Sequence, residues 1–369
     1  LVSGTTAQDL TVDNINTTSI NSGQTGRKNF IINGACAIDQ RNGGAAVTSG
    51  YAIDRTHIEG FSGGGTGTAQ RVTDSPSGFY YSLKVTVTGT DTSLAAADFY
   101  TLRHIIEGSN IAHLGFGASG GTSVTLSFFV KSSVTGTFCA GLGNGSNNRT
   151  MPKEYTINAT NTWEKKTLTF PADTTGTWGA DANRGFSIRW CMGCGSTRQG
   201  TADQYNGGES HGTSNQTNLF ATNAATFQIT GLQLEAGTTA TDFEHRSIGE
   251  ELALCQRYYY LVGSQARDGN VSFNLGLGAL NTSNSAFMHF SFPTEMRATP
   301  TLDHTNGADY YRFFNDGGGA NLDGAFTIWN PTRVQSFASC TLDSSLTAGG
   351  AVFGNFNDNS AKLGFSAEL

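Results

Sequence analysis

The stretch that most constrains this chain is Phe227 to Tyr260, FQITGLQLEAGTTATDFEHRSIGEELALCQRYYY. Phe227, Ile229, Leu232 and Leu234 carry an imperfect apolar alternation that Gly237 ends, the pattern of a closing β-strand. Ser247 then stands where a helix N-cap is wanted, and Glu250 completes a capping box three residues later. Leu252, Leu254 and Cys255 supply the apolar face of that short helix, and no other stretch carries a comparable helix signal. One helix between two strand-rich regions predicts a hinge between two β domains. The expected boundaries are an N-terminal segment at 1–28, a first domain at 29–246, a helical junction at 247–260 and a second domain at 261–369.

Composition supports an all-β chain. The 369 residues hold 48 Gly, 6 Pro and 24 Phe with only 14% charged residues, which suits short strands and tight turns and not helical bundles. The 22 basic against 29 acidic residues leave a net charge of −7, so no basic field exists to hold a nucleic-acid backbone. No apolar run reaches the length of a membrane helix and no secretory signal opens the chain, so membrane insertion is not expected. Residue 1 is Leu, which points to a fragment of a longer chain. Cys36, Cys139, Cys191, Cys194, Cys255 and Cys340 are scattered, with one C-x-x-C pair and no second pair at zinc spacing. Free, partly buried thiols made in a reducing cytoplasm are expected.

Residues 1–28 are polar, with isolated apolar residues at Leu10, Val12, Ile15 and Ile20. One copy cannot form a core from so little; this is either a disordered linker or a narrow shaft ordered by several copies side by side. From Asn29 the texture changes to strand-like stretches recurring about every ten to twenty residues, the spacing of a sandwich. NFIING predicts an opening strand around Phe30–Ile32 and a turn at Asn33–Gly34. In TSVTLSFFVK, Val124, Leu126, Phe128 and Val130 share one face, as in an antiparallel strand with one wet face. The loops 143–150 and 195–218 are expected to project from the ends of the sandwich. Strands recur at 270–277, 285–292, 309–314, 325–329, 333–341 and 351–354, enough for a smaller sandwich or a trimerising module.

Two motifs resemble a known family. Asn29, Ile32, Asn33, Gly34, Asp39, Gln40 and Arg41 at the start, and Gln233, Leu234, Glu235, Gly237, Ala240, Thr241, Phe243, Glu244 and Arg246 at the end, are similar to the paired strands of the carbohydrate-binding-module-like jelly roll of tailed-phage fibre and tail proteins. The resemblance covers roughly 29–260 and departs where Thr56 follows Asp54-Arg55 in place of an aromatic. FPTEMRATPTL (292–302) and the ending LGFSAEL (363–369) also resemble segments of such fibres, which implies a natural C-terminus. The resemblance implies a jelly-roll β-sandwich followed by a smaller C-terminal β-sandwich. It also implies a virion tail fibre, assembled in the host cytoplasm as a homotrimer with other tail or capsid proteins, that binds a host cell-surface polysaccharide. Sugar-contacting residues are not fixed by these motifs.

Motifs for catalysis are missing from the sequence. There is no G-x-S-x-G, no H-E-x-x-H among the seven histidines, and the Gly-rich GFSGGG and NDGGGAN lead into no Lys-bearing helix. A glycosidase needs two carboxylates about 5–10 Å apart. Asp39, Asp54, Asp173, Asp181, Asp203 and Glu209 are available, yet no spacing pairs any two. No D-x-D-x-D-G ladder offers a calcium site, and no catalytic residue, metal or cofactor is expected.

Sugar binding needs flat aromatic faces with amides and carboxylates nearby. Trp178 and Tyr205, each among Asp, Asn and Gln in a loop-like stretch, and Tyr310 and Trp329 in the second region are the candidates, whereas Trp163 and Trp190 are expected in the core. Glu244, Arg246 and Glu250 are expected to pair with one another or with Arg41 and Arg55 and so clamp both ends of the jelly roll. The reading is a non-enzymatic glycan-binding fibre. The alternatives are a structural head fibre or decoration protein, and a polysaccharide depolymerase.

Overall fold

The computed structural model describes residues 27–60, 64–263, 273–316 and 318–369. The proposed shaft, apart from Arg27 and Lys28, lies outside the described residues. Before the helix come β1 (Gly50–Ile53), β2 (Thr56–Glu59), β3 (Thr66–Val72), β4 (Ser82–Gly89), β5 (Phe99–Glu107), β6 (Val124–Ser132), β7 (Gly136–Asn144), β8 (Thr150–Ile157), β9 (Glu164–Phe170), β10 (Arg184–Cys194) and β11 (Thr226–Ala236). After helix α1 (Ile248–Gln256) come β12 (Tyr259–Leu261), β13 (Phe273–Thr282), β14 (Ser285–Ser291), β15 (Thr301–His304), β16 (Tyr311–Asn315), β17 (Gly318–Asn321), β18 (Thr327–Trp329), β19 (Gln335–Thr341), β20 (Ala351–Phe356) and β21 (Leu363–Ser366).

A six-stranded sheet, in the order β1-β2-β5-β10-β7-β8, lies over a five-stranded sheet, β3-β4-β11-β6-β9. Their inner faces share one core, in which Phe128 of β6 meets Trp190 of β10 edge-on at 6.0 Å. This is an antiparallel β-sandwich of the jelly-roll class. Val124, Leu126, Phe128 and Val130 are all fully buried, as their alternation predicts. The imperfect alternation of β11 is a β-bulge between Thr230 and Gln233. Gly231 occupies it at φ +62, and a Cβ there would stand 2.7 Å from the Phe79 ring. A second sandwich packs a seven-stranded sheet, β17-β16-β20-β13-β14-β19-β18, against the three strands β12-β21-β15. Phe290 and Phe365 meet across it at 5.3 Å.

Three expectations change. Phe30–Ile32 is not a ladder strand, and Ile32 already lies in the turn that follows. It is tied to β11 by the Phe30 N–H to the Leu234 carbonyl at 2.9 Å and by Asn29, whose amide donates to the Leu232 carbonyl and accepts from the Leu234 N–H. The Asn33 side chain replaces further ladder bonds by bridging Ile38 and Asp54, which bends the chain away. Residues 143–150 form the tight β7–β8 hairpin, where the Asn144 carboxamide accepts from the Asn148 and Arg149 N–H groups. Segment 195–218 folds back over the six-stranded sheet, held by Asn206 N–H to Thr150 O at 2.7 Å and Thr217 N–H to Thr137 O at 2.7 Å. A loop with so many amide and hydroxyl side chains can meet its own hydrogen-bonding needs on that surface without projecting.

The clamp forms with altered partners. Ser247 accepts from the Glu250 N–H at 3.3 Å, and Leu252, Leu254 and buried Cys255 pack with Ile32, Ile38 and Tyr258. The Arg246 guanidinium donates to the carbonyls of Asn29 and Ile31 and pairs with Glu244 at 3.0 Å and Glu251 at 3.3 Å. Glu250 pairs with Arg27 at 2.5 Å. Arg41 and Arg55 do not join this group; both pair with Glu368, near the last described residue. Further links between the sandwiches are Arg257 to Glu107 at 2.7 Å and Arg297 to the Ala182, Ala367 and Glu368 carbonyls.

Candidate functional site

The outer face of the six-stranded sheet carries a row of polar side chains in which Tyr51, His57, Glu59 and Arg103 are partly exposed and Arg189 is buried. Cross-strand register aligns Tyr51, His57, Arg103, Arg189, Gly141 and Pro152 in one row across all six strands. Alternation explains the row: Leu102, Ile188 and Trp190 turn inward, so the arginines between them turn outward. Arg103 and Arg189 stand directly opposite each other, an arrangement that repels unless a carboxylate divides it. Glu59 does so, at 2.6 Å from Arg103 and 3.3 Å from Arg189. Tyr51 packs edge-on against His57 at 4.9 Å and carries the Arg41 guanidinium 4.5 Å from its ring centre, so the contact of Arg41 with Glu368 bounds this end of the row. Burial and the nearby Arg103 hold the His57 imidazole below its usual range, so it is neutral at pH 7.

Segment 195–218 walls the other end. Glu209 reaches Arg189 at 3.0 Å and Arg198 at 2.5 Å, and Asn147 accepts from Arg189 at 3.2 Å. The Glu209 carboxyl is drawn down to about 2 by the His211 ring 3.5 Å away and by the two arginines. His211 is itself fully buried against Phe99 and kept below its usual range by that burial, so the guanidiniums supply the charge at neutral pH. Next to this wall is a hollow of about 560 Å³. Glu154, Gln199, Thr201, Asn206, Thr213 and Asn215 line it. The whole surface offers paired donors and acceptors at fixed positions, the chemistry that matches vicinal hydroxyls.

The aromatic candidates are placed differently from expectation. Trp178 belongs to the first core, only 9% exposed, with its indole N–H directed at Asp173 and the Thr175 carbonyl. Tyr205 is half-buried, packs edge-on to Trp178 at 5.6 Å and donates its hydroxyl to the Pro171 carbonyl at 2.9 Å. The two come together beneath an Arg149–Asp173 ion pair, as packing and not as open faces. In apolar-poor loops they are the large side chains best able to seal that end of the core, which outweighs the polar residues flanking them in sequence. Tyr310 is half-buried against the second core and Trp329 is half-exposed on β18; neither approaches Trp178. Trp190 is core, whereas Trp163 is only half-buried, under the Lys131 ammonium at 5.0 Å.

The candidate acids are mostly engaged. Asp173 pairs with Arg149 and Asp203 with Lys153. Asp181 is bound to Asn183, Asp39 accepts the Asn42 and Gly44 N–H groups, and Asp54 accepts from Gln40. Among the described residues no three His, Cys, Asp or Glu side chains are grouped as for a metal ion. All six cysteines are free and buried. Sequence reading missed Tyr51, His57, Glu59 and Arg103. The signal available was the alternation of His57 and Glu59 with Ile58 in a four-residue strand, too short to stand out.

No protein-family model matches the chain, and no curated protein matches it in sequence. Solved structures do resemble it. The enzymatically active domain of bacteriophage CBA120 tailspike protein 4 matches at 13% identity over 56% of this chain, with a TM-score of 0.29; the chain spans 21% of that domain's length. The family 11 carbohydrate-binding module of the Clostridium thermocellum cellulase Lic26A-Cel5E matches at 12% over 54% of this chain and 98% of the module, TM-score 0.28. The CBM22-2 xylan-binding domain of Paenibacillus barcinonensis Xyn10C matches at 13% over 52% of this chain and 98% of the domain, TM-score 0.30.

Proposed function

We propose that this chain is a non-enzymatic glycan-binding protein. The observation that carries the reading is the row Tyr51–His57–Arg103–Arg189 with bridging Glu59, set beside a wall of amide and hydroxyl side chains in segment 195–218. Arg103 and Glu59 would hold a pair of ring hydroxyls, with the amides and hydroxyls of segment 195–218 available to further sugar units. The sequence motifs at 29–41 and 233–246 favour a tailed-phage fibre as the setting. The protein would then act in the virion, attached to other virion proteins and assembled as a homotrimer, with a host cell-surface polysaccharide as ligand. Repetition over protomers gives avidity to weak individual contacts.

One observation favours a second reading. Glu59 and Glu209 contact the same Arg189, which gathers two carboxylates at one guanidinium as a candidate glycosidase pair. Against it, the His211 ring and the two guanidiniums hold Glu209 ionised, which removes it as a proton donor. Incubating the purified protein with host surface polysaccharide, then scoring retention and chain length together, separates the readings. Retention with unshortened chains is expected. Shortened chains would establish a depolymerase, and neither effect would leave a purely structural head-fibre or decoration role.

A further inference from the structure

The seven strands of the C-terminal sheet contain one formally charged residue, Arg312, in a chain whose net charge is −7. Their inner face is core. Their outer face carries a line of large apolar side chains that nothing in the described residues covers. Phe314 is registered with Phe353, and Phe353 with Leu277. Gly278 opposite Met288 sets Leu277 and His289, one residue further along each strand, on the same outer face. His289 is registered with Phe337, and Phe337 with Trp329. The line therefore crosses from β16 to β18, and exposure is high along it: Leu277 72%, Trp329 50%, Phe353 43% and Phe337 38%.

We propose that this face is where copies of the chain meet one another. Together with Phe287 and Phe314 these side chains offer roughly 500 Å² of apolar surface, at the upper end of what a lone soluble protein shows. That is close to the apolar two-thirds or so of a standard ~800 Å² contribution per partner in a homo-oligomer. The absence of acids from these strands matters equally. Two copies of an acidic protein avoid like-charge cost by meeting through strands without acids, and these seven strands are uncharged apart from Arg312, whose guanidinium lies over the Phe314 ring at 5.0 Å. Sheets packed face to face at ~10 Å interdigitate side chains of this kind, and faces turned to a common rotation axis close a dry centre.

The same face suits a sugar poorly. Phe314 and Phe353 stack on each other at 5.3 Å, Trp329 is turned edge-on against Phe287 at 5.8 Å, and the most exposed member, Leu277, has no flat face. The inference does not depend on glycan binding, and its test contains no glycan.

The full chain is compared with Leu277→Lys/Phe353→Glu by sedimentation velocity, with circular dichroism and melting as fold controls. Both sites are open, so the variant is expected to fold and melt like the parent while its association weakens by at least roughly tenfold. A Leu277→Cys variant then locates the contact, because all six native thiols are buried and give little background to a maleimide. The introduced thiol is expected to react at least roughly tenfold more slowly in the associated protein than after dilution. A monomeric parent, unchanged association of the double variant, or equal labelling rates would each overturn the proposal. The last would place the contact elsewhere in the chain, residues 1–26 included.

Discussion

At the scale of single residues, the buried charges are the most informative. Asp54 lies at 1% exposure between Arg41 and the Gln40 amide, and burial, only partly offset by Arg41 and Gln40, lifts its carboxyl to about 6. A folded-state value above the ordinary 3.8 means the folded protein takes up a proton that the unfolded chain does not hold between about pH 4 and 6. The stability this contributes is therefore complete below about pH 4 and lost as pH rises through about 6. Asp54→Asn, neutral throughout, should remove that slope. Urea midpoints are expected to show parent stability relative to the variant falling by about 2–3 kcal/mol from pH 4 to pH 7. A difference independent of pH would show that Asp54 is ionised throughout.

Trp178 teaches the opposite lesson at the same scale. Its sequence neighbours, Thr174 to Thr177 and Gly179 to Asn183, gave every sign of an open loop. What buries it is a set of contacts from distant elements: Phe116, Phe186 and Tyr205 all meet its ring. No window around position 178 contains that information.

At the scale of elements, long apolar strands were readable: β6, with strict alternation, and β11, with its alternation broken at the bulge, stand within a few residues of their expected places because a one-residue slip would turn the apolar face of each to water. Helix α1 was readable from its cap. The strands β1, β2, β12, β15, β17 and β21 were not, each being too short for periodicity to show and formed only through its partner. The candidate site sits on two of these, β1 and β2, which is why Tyr51, His57 and Glu59 escaped notice.

The clamp was readable in Arg246 and misjudged in Arg41 and Arg55, because the competing acid, Glu368, lies more than 300 positions away in the chain. Arg246 is buried with two carboxylates and two carbonyls about it, so Arg246→Ala strands those groups and is expected to destabilise by about 3–5 kcal/mol. Arg246→Lys should recover less than half, since one ammonium cannot match the planar fork. Chemical denaturation measures both, and a loss under about 1 kcal/mol for the alanine variant would remove the clamp from the account.

At the scale of the molecule, the two sandwiches are joined by a polar seam of Arg41, Arg55 and Glu368, with Arg257, Tyr258 and Glu107 beside it. Arg55 also donates to the Ile105 carbonyl at 2.6 Å and lies 3.5 Å from the centre of the Tyr258 ring. Glu368→Gln takes from the buried Arg55 guanidinium its carboxylate and from Arg41 one of two, the other being Asp54. It is expected to lower the melting temperature and to split a single calorimetric transition into two, as each sandwich melts on its own core. One unchanged transition would show that the seam does not couple them.

The central claim is that the outer face of the six-stranded sheet holds a glycan through Glu59 and Arg103. The most direct measurement is a calorimetric titration of host surface oligosaccharide into the parent, Arg103→Ala and Glu59→Gln, with fold checked by circular dichroism. Loss of one hydrogen bond to a charged group is worth about 1.5–3 kcal/mol, so each variant should bind at least roughly tenfold more weakly while the parent binds measurably. Equal affinity in all three proteins, or no binding by a correctly folded parent, would contradict the account.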